Sequence, residues 1–152
     1  MIHEKMTEVF ETSKSPLASI GHGYTYSGHP VGAAAALVCL AETQRLNLAE
    51  NAGLRGAELL AGLHKLKAKH ALIGDARGKG LMCALELVSE REKKSAPAKE
   101  VVQKVQDATY EAGVMVRTSG PNIIISPPLI VTAKDVAKIL TALDAGLEAA
   151  AK

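Results

Sequence analysis

Two apolar stretches that double back on glycine constrain this chain more than any other feature. Leu72-Ile73-Gly74-Asp75-Ala76-Arg77 and Leu81-Met82-Cys83-Ala84-Leu85-Glu86-Leu87 flank a Gly78-Lys79-Gly80 interruption. Val114–Arg117 and Asn122–Ser126 flank Thr118-Ser119-Gly120-Pro121. Short apolar runs joined by turn residues read as hairpins, and hairpin strands are antiparallel. Pro127-Pro128 ends the last strand, because proline has no N–H to give to a ladder. A sheet of this kind needs a covering layer, and helical periodicity around the hairpins supplies one.

Pro30 to about Arg45 is small and aliphatic nearly all round, with proline at a first helical position. It reads as a buried helix whose Ala33–Ala36 run lets a neighbour approach the backbone. Asn47 and Glu50 have capping-box spacing ahead of a second helix, with Ala52, Leu59, Leu63 and Leu66 at helical intervals up to Lys69. Ser89–Ala98 is charged and closed by Pro97, a solvated loop. Lys99–Ala112 carries the stripe Val101, Val105, Ala108 and Ala112, with Gly113 as its C-terminal cap. Thr132 and Asp135 form another cap-like pair before the amphipathic set Val136, Ile139, Leu140, Leu143 and Leu147. The predicted fold is a small two-layer α/β sandwich, with helices on one face of a mostly antiparallel sheet and no internal repeat.

At 152 residues the chain has the size of one ordinary domain. Its 47% hydrophobic and 22% charged content excludes disorder. A net charge of +2 with no basic run, together with 3% aromatic residues, argues against nucleic acid as a partner. The longest apolar run, Ala33–Ala41, is nine residues, about half the roughly 20 that a membrane-spanning helix needs. Met1-Ile2-His3-Glu4-Lys5 does not resemble a secretory signal. Cys39 and Cys83 lie in apolar stretches without a CxxC pair and read as buried, reduced thiols. A cytoplasmic protein is expected.

The chemistry concentrates in Gly21-His22-Gly23-Tyr24-Thr25-Tyr26-Ser27-Gly28-His29-Pro30. Glycines and hydroxyl donors just ahead of a helix start suit an anion such as phosphate, because unpaired N–H groups and the positive end of the helix dipole meet there. The same spacing also suits a plain turn in which Ser27 or Thr25 caps the helix. His22 and His29 read as helix-entry residues rather than metal ligands, and no metal site is expected. His64 and His70 read as surface residues. The Gly74–Gly80 segment falls one residue short of a phosphate loop.

Gly21–Pro30, continuing into Val31-Gly32-Ala33-Ala34-Ala35-Ala36, resembles the signature stretch of class III aminotransferases. These are pyridoxal-phosphate enzymes that include the ω-amino acid:pyruvate transaminases. Asp75-Ala76-Arg77-Gly78-Lys79-Gly80-Leu81-Met82 resembles that family's arginine-and-glycine turn, and Gly113–Leu129 its Gly-x-x-x-Arg stretch running into Pro-Pro. The resemblance implies the C-terminal small domain of a fold-type I aminotransferase. Residues 1–29 are then a segment with a phosphate-contacting loop, and residues 30–152 the small domain.

The resemblance also implies site residues. Thr25 gives its hydroxyl and N–H to the cofactor phosphate across a dimer interface, with Gly23 and Tyr24 beside it. Arg117 binds the substrate carboxylate, a task that suits the planar fork of guanidinium; on the residues alone it reads as a surface arginine in a weak salt bridge. The family's Schiff-base lysine and the carboxylate facing the pyridine nitrogen lie upstream of the Gly21–Pro30 motif. There this chain offers only Lys5 and Lys14, neither in the matching context. The expectation is therefore part of an aminotransferase that touches pyridoxal phosphate at its phosphate alone, supplies no catalytic residue, and is inactive without the rest. Its partners are the remainder of the enzyme or a second copy, with a small-molecule amine and a keto acid as substrates. The alternative is a noncatalytic binding or assembly module derived from the same family. Without the large domain, an apolar surface around the Pro30–Arg45 helix is expected to be exposed.

Overall fold

The computed structural model describes residues 3–16, 18 and 23–151. The chain forms two compact units, Met1–Ala41 and Glu42–Lys152. In the first, helix α1 (Glu4–Thr12) starts at His3, whose Nδ1 accepts from the Lys5 N–H at 3.2 Å. Met6, Val9 and Phe10 mark one face of it at helical spacing, a short signal that the sequence reading passed over. Helix α2 (Pro30–Arg45) begins on proline as expected and runs across the boundary between the units.

No residue of α2 is buried, contrary to the expectation of a buried helix. Val31, Leu37, Val38 and Leu40 are all more than 60% exposed, and Cys39, read as a buried thiol, is exposed as well. The reason is that a helix apolar all round sinks only where another element covers it, and the core is built from other helices.

The second unit contains helix α3 (Leu48–Lys69), strands β1 (Ile73–Lys79) and β2 (Met82–Leu87), helix α4 (Lys99–Glu111), strands β3 (Arg117–Ser119) and β4 (Asn122–Ile125), and helix α5 (Ala133–Ala150). The sheet order is β1-β2-β4-β3 and every pairing is antiparallel. Side chains alternate across each strand. Cys83, Leu85 and Leu87 of β2 and Ile123 and Ile125 of β4 therefore point into one buried layer. Leu59, Leu63 and Leu66 of α3, Val105 of α4, and Val136, Ile139, Leu143 and Leu147 of α5 close that layer from the helical side. The predicted two-layer sandwich is the observed fold. The β1–β2 turn holds Gly80 at φ +54°, where a side chain is strained. Its backbone also sits so close to Gly56 of α3 that a Cβ on Gly56 would lie 2.3 Å from the Gly80 carbonyl.

Several local readings shift. Thr132 and Asp135 form the full reciprocal capping box. Asn47 does not cap α3 through its side chain, because its backbone is left-handed at φ 48° rather than in the extended conformation that a capping side chain uses. Its carboxamide meets the Glu50 carboxylate instead. The buried face of α4 is Val102, Val105 and Thr109, turned from the expected Val101, Val105, Ala108 and Ala112. The rotation follows from Gly146 of α5, whose missing side chain admits Thr109 to full burial, where its hydroxyl donates to the Val105 carbonyl at 2.7 Å. Strand β3 begins at Arg117 rather than ending there, since Val116 is drawn into the core.

The charged Ser89–Ala98 loop is not merely solvated. Arg91 reaches back and donates to the carbonyls of Ile73 (2.9 Å), His70 (2.8 Å) and Lys67, satisfying the open end of α3. His70, expected at the surface, is only 8% exposed, and its Nε2 lies 2.6 Å from Asp144 Oδ1 on α5. Lys69 adds a bond of 2.7 Å to the same carboxylate.

Two stability predictions follow from this packing. Gly146→Ala should cost about 1–3 kcal/mol by overpacking, since its Cβ would meet Thr109 Oγ1 at 2.2 Å and the Val105 carbonyl at 2.7 Å. Gly53→Ala, on the same type of element with open space around it, should stabilise by about 0.5–1 kcal/mol. Urea denaturation measures both, and equal effects would contradict the close approach at Gly146. The second concerns acid. Burial by itself would raise the Asp144 carboxyl, but its bonds to Lys69 and His70 outweigh that and hold it below the ordinary aspartate range. A depressed carboxylate stabilises the fold fully above about pH 4, and that contribution disappears as pH falls through its lower folded-state value. Denaturation midpoints between neutral and acidic pH should therefore fall less steeply in Asp144→Asn than in the parent.

Candidate functional site

Of the expected phosphate-contacting stretch, Gly21 and His22 lie outside the described residues. From Gly23 onward the chain is an exposed turn running into α2. Ser27 N–H donates to the Tyr24 carbonyl at 2.9 Å, and the Ser27 hydroxyl accepts from Tyr24 N–H at 3.2 Å, so this hydroxyl is spent inside the turn. Gly28 follows at φ +72° and sends the chain on toward the helix.

His29, not Ser27 or Thr25, caps α2. Its carbonyl accepts from Ala33 N–H at 3.0 Å and its Nδ1 from Gly32 N–H at 3.3 Å. The helix-entry role expected of His29 is the one it has. Its ring also lies 5.7 Å from that of Tyr26. With both capping and turn closure done by neighbours, Thr25 is left over. It is exposed, and neither its hydroxyl nor its N–H has a hydrogen-bond partner among the described residues. Free uncharged donors beside Gly23, where a Cβ would meet nothing within 4 Å, make a donor set that fits a phosphate group.

Arg117 belongs to the second unit, on the sheet face that the helices leave open. Pairing places Arg77 opposite Ala84, Ala84 opposite Ile124, and Ile124 opposite Arg117. Antiparallel partners share a face. The two arginines therefore end one row across the sheet, three strand spacings or about 14 Å apart. Their circumstances differ. Arg77 Nη1 donates to Glu86 at 2.7 Å and to Asp75 at 3.3 Å, and its Nη2 to Asn122 Oδ1 at 2.8 Å. The Glu86 bond is the largest influence holding the Arg77 guanidinium protonated above its ordinary value. Burial alone would raise the Asp75 carboxyl, but Lys67 and Arg77 bring it down instead.

Arg117 is exposed, and its guanidinium has no hydrogen-bond or ion-pair partner among the described residues. The weak surface salt bridge considered from sequence is absent there. A cation on an edge strand with no acid beside it is available to an external carboxylate, whereas Arg77 is already neutralised. Sequence reading missed Asn122 and Gln106, which hold the backbone on either side of Arg117. Their signal was slight: Asn122 is a polar residue opening an otherwise apolar run, and Gln106 is a polar residue one position beyond Val105 on an amphipathic helix.

Comparison with known proteins agrees with these motifs. The family described as aminotransferase class-III matches residues 2–147. An uncharacterized aminotransferase of Sinorhizobium fredii is 35% identical over 92% of this chain and 31% of its own length. The taurine–pyruvate aminotransferase of Rhodobacter capsulatus is 34% identical over 95% of this chain and 33% of its own length. Among solved structures, an amine transaminase from an uncultivated Pseudomonas species, determined with pyridoxal phosphate bound, superposes with a TM-score of 0.87 at 37% identity. It covers 97% of this chain and 34% of its own. The chain thus spans about a third of the length of the relatives it matches. No helix among the described residues is long and apolar enough to cross a membrane. Motifs, fold and family match coincide over nearly the whole sequence, and the chain belongs to the class III aminotransferases.

Proposed function

We propose that this chain is the C-terminal part of a pyridoxal-phosphate-dependent aminotransferase. Such an enzyme moves an amino group from an amine or amino acid to a keto acid such as pyruvate. Residues 1–29 carry the phosphate-contacting turn and residues 30–152 the small domain. The observation that carries this reading is the difference between the two arginines on the open sheet face: one is bound by acids, and Arg117 has no partner among the described residues.

When bound, pyridoxal phosphate supplies the electron sink that makes transamination possible. This chain's contribution is binding and orientation. Thr25, with Gly23 and Tyr24 beside it, holds the phosphate by uncharged donors, supported by the positive N-terminal end of the 16-residue helix α2. Arg117 grips the substrate carboxylate with two parallel N–H···O bonds, which fix the direction of the substrate as well as its charge. The covalent lysine and the acid facing the ring nitrogen come from the remainder of the enzyme, so the chain alone does not transaminate. A partner that completes the site is thus part of the proposal, whether the remaining portion of the enzyme or a second copy.

Assembly of the chain with a complementary large-domain portion tests this reading. Amine transfer should appear only in the mixture. Arg117→Ala should raise KM for a carboxylated amino donor about 30- to 100-fold, the equivalent of about 2–3 kcal/mol for a charge-assisted pair, with little change for an uncharged amine. Thr25→Ala should weaken pyridoxal phosphate binding about tenfold, as expected for one hydrogen bond to a charged group. A stable borohydride-reduced adduct on one lysine of the isolated chain would contradict the assignment of the covalent lysine to another segment. Phosphate binding without any transfer in the mixture would favour a noncatalytic module.

A further inference from the structure

An arginine selects a carboxylate by geometry only if its backbone is held, and β3 offers little to hold it. The strand is three residues long, lies at the sheet edge and pairs on one side only. Polar bonds compensate at both ends. Before Arg117, the Val116 carbonyl, which belongs to the same peptide unit as the Arg117 N–H, accepts from Gln106 Nε2 of α4 at 2.9 Å. Beyond Arg117, the Ser119 carbonyl accepts from Asn122 Nδ2 at 3.0 Å, closing the β3–β4 turn.

The Asn122 carboxamide is itself oriented. Arg77 Nη2 lies 2.8 Å from its Oδ1, and because a guanidinium only donates, the amide must present oxygen to Arg77 and nitrogen to Ser119. Arg77 is in turn anchored by Glu86 and Asp75. The chain of bonds therefore runs from β1 through β4 to the turn that ends β3, the strand that carries Arg117.

We propose that Gln106 and Asn122 are positioning residues for Arg117: two carboxamides clamp its backbone from either side, and Arg77 sets the orientation of one of them. The inference rests on the proposed role of Arg117 toward the substrate carboxylate. Arg77 then has a task that its position in the family motif does not reveal, which is to orient a neighbour rather than to bind a ligand.

Asn122→Asp separates these bonds, because a carboxylate still accepts from Arg77 but has nothing to donate to Ser119. Gln106→Met removes the donor to Val116 at similar size, so each side of the clamp is probed by its own variant. Hydrogen exchange read by NMR in the chain reports the clamp directly. Both variants should exchange the β3 amides at least tenfold faster, with those of Leu85 and Leu143 unchanged. In the enzyme assembled with its remaining portion, both should raise KM for a carboxylated donor about five- to tenfold, keep kcat within about twofold and leave an uncharged amine unaffected. In an Arg117→Ala background neither should raise that KM further, since a residue acting through Arg117 has nothing left to position. Unchanged β3 exchange in both variants overturns the clamp. So does a KM increase of the same size in the Arg117→Ala background, which would mark a general structural effect. If Arg117→Ala alone leaves KM for the carboxylated donor unchanged, the carboxylate reading of Arg117 fails first, and the clamp loses its purpose with it.

Discussion

A sheet covered on one side only divides its side chains into two populations, and that division governs the second unit. On the covered face alternation delivers Cys83, Leu85, Leu87, Ile123 and Ile125 to the helices. On the other face it delivers Asp75, Arg77, Glu86, Asn122 and Arg117, which can remain polar only because no helix lies over them within this unit. One-sided burial therefore does two jobs. It forms the core, and it leaves two register rows of polar and charged groups on the open face, one through Asp75, Glu86 and Asn122 and one ending in Arg77 and Arg117.

The covered face was legible in the residues because burial there follows simple periods. The stripe of α5, the hairpin around Gly80 and the Thr132–Asp135 cap are each determined by a few neighbouring positions. What could not be read was anything decided across a gap in sequence. The face that α4 turns inward depends on a missing side chain at Gly146, some forty positions away. The burial of His70 depends on Asp144, and the true task of Arg91 depends on the end of α3. Helix α2 failed in the opposite way. Its composition describes the surroundings it is suited to, and burial requires an element that supplies them.

The site was legible through its motifs more than through its physics. Family resemblance pointed to Thr25 and Arg117, whereas spacing alone left Thr25 as one of two possible helix caps and Arg117 as an ordinary surface charge. Geometry changes the weight of each. His29 takes the cap and Ser27 closes the turn, which leaves the Thr25 hydroxyl without a bond among the described residues and supports its proposed role toward the phosphate. The two arginines look alike in sequence and are separated only by their partners.

That separation also bears on selectivity. Two unpaired guanidiniums on one open face would offer an incoming carboxylate two attractive sites, one of them misplaced. Glu86 and Asp75 saturate Arg77, and Lys67 shares the Asp75 carboxylate at 3.3 Å, so these four charges balance one another. The arginine without an ion-pair partner among the described residues is then Arg117, on the opposite edge strand. Coulomb attraction between exposed groups weakens over about 10 Å at moderate salt, and the roughly 14 Å between the row's ends exceeds that distance. Asp75, on the far edge strand, therefore does little to weaken Arg117, and Glu86, two strand spacings away on β2, is engaged with Arg77. The same sheet holds one arginine saturated by acids and, at its opposite edge, another with no partner among the described residues, which is the arrangement the proposed carboxylate role of Arg117 requires.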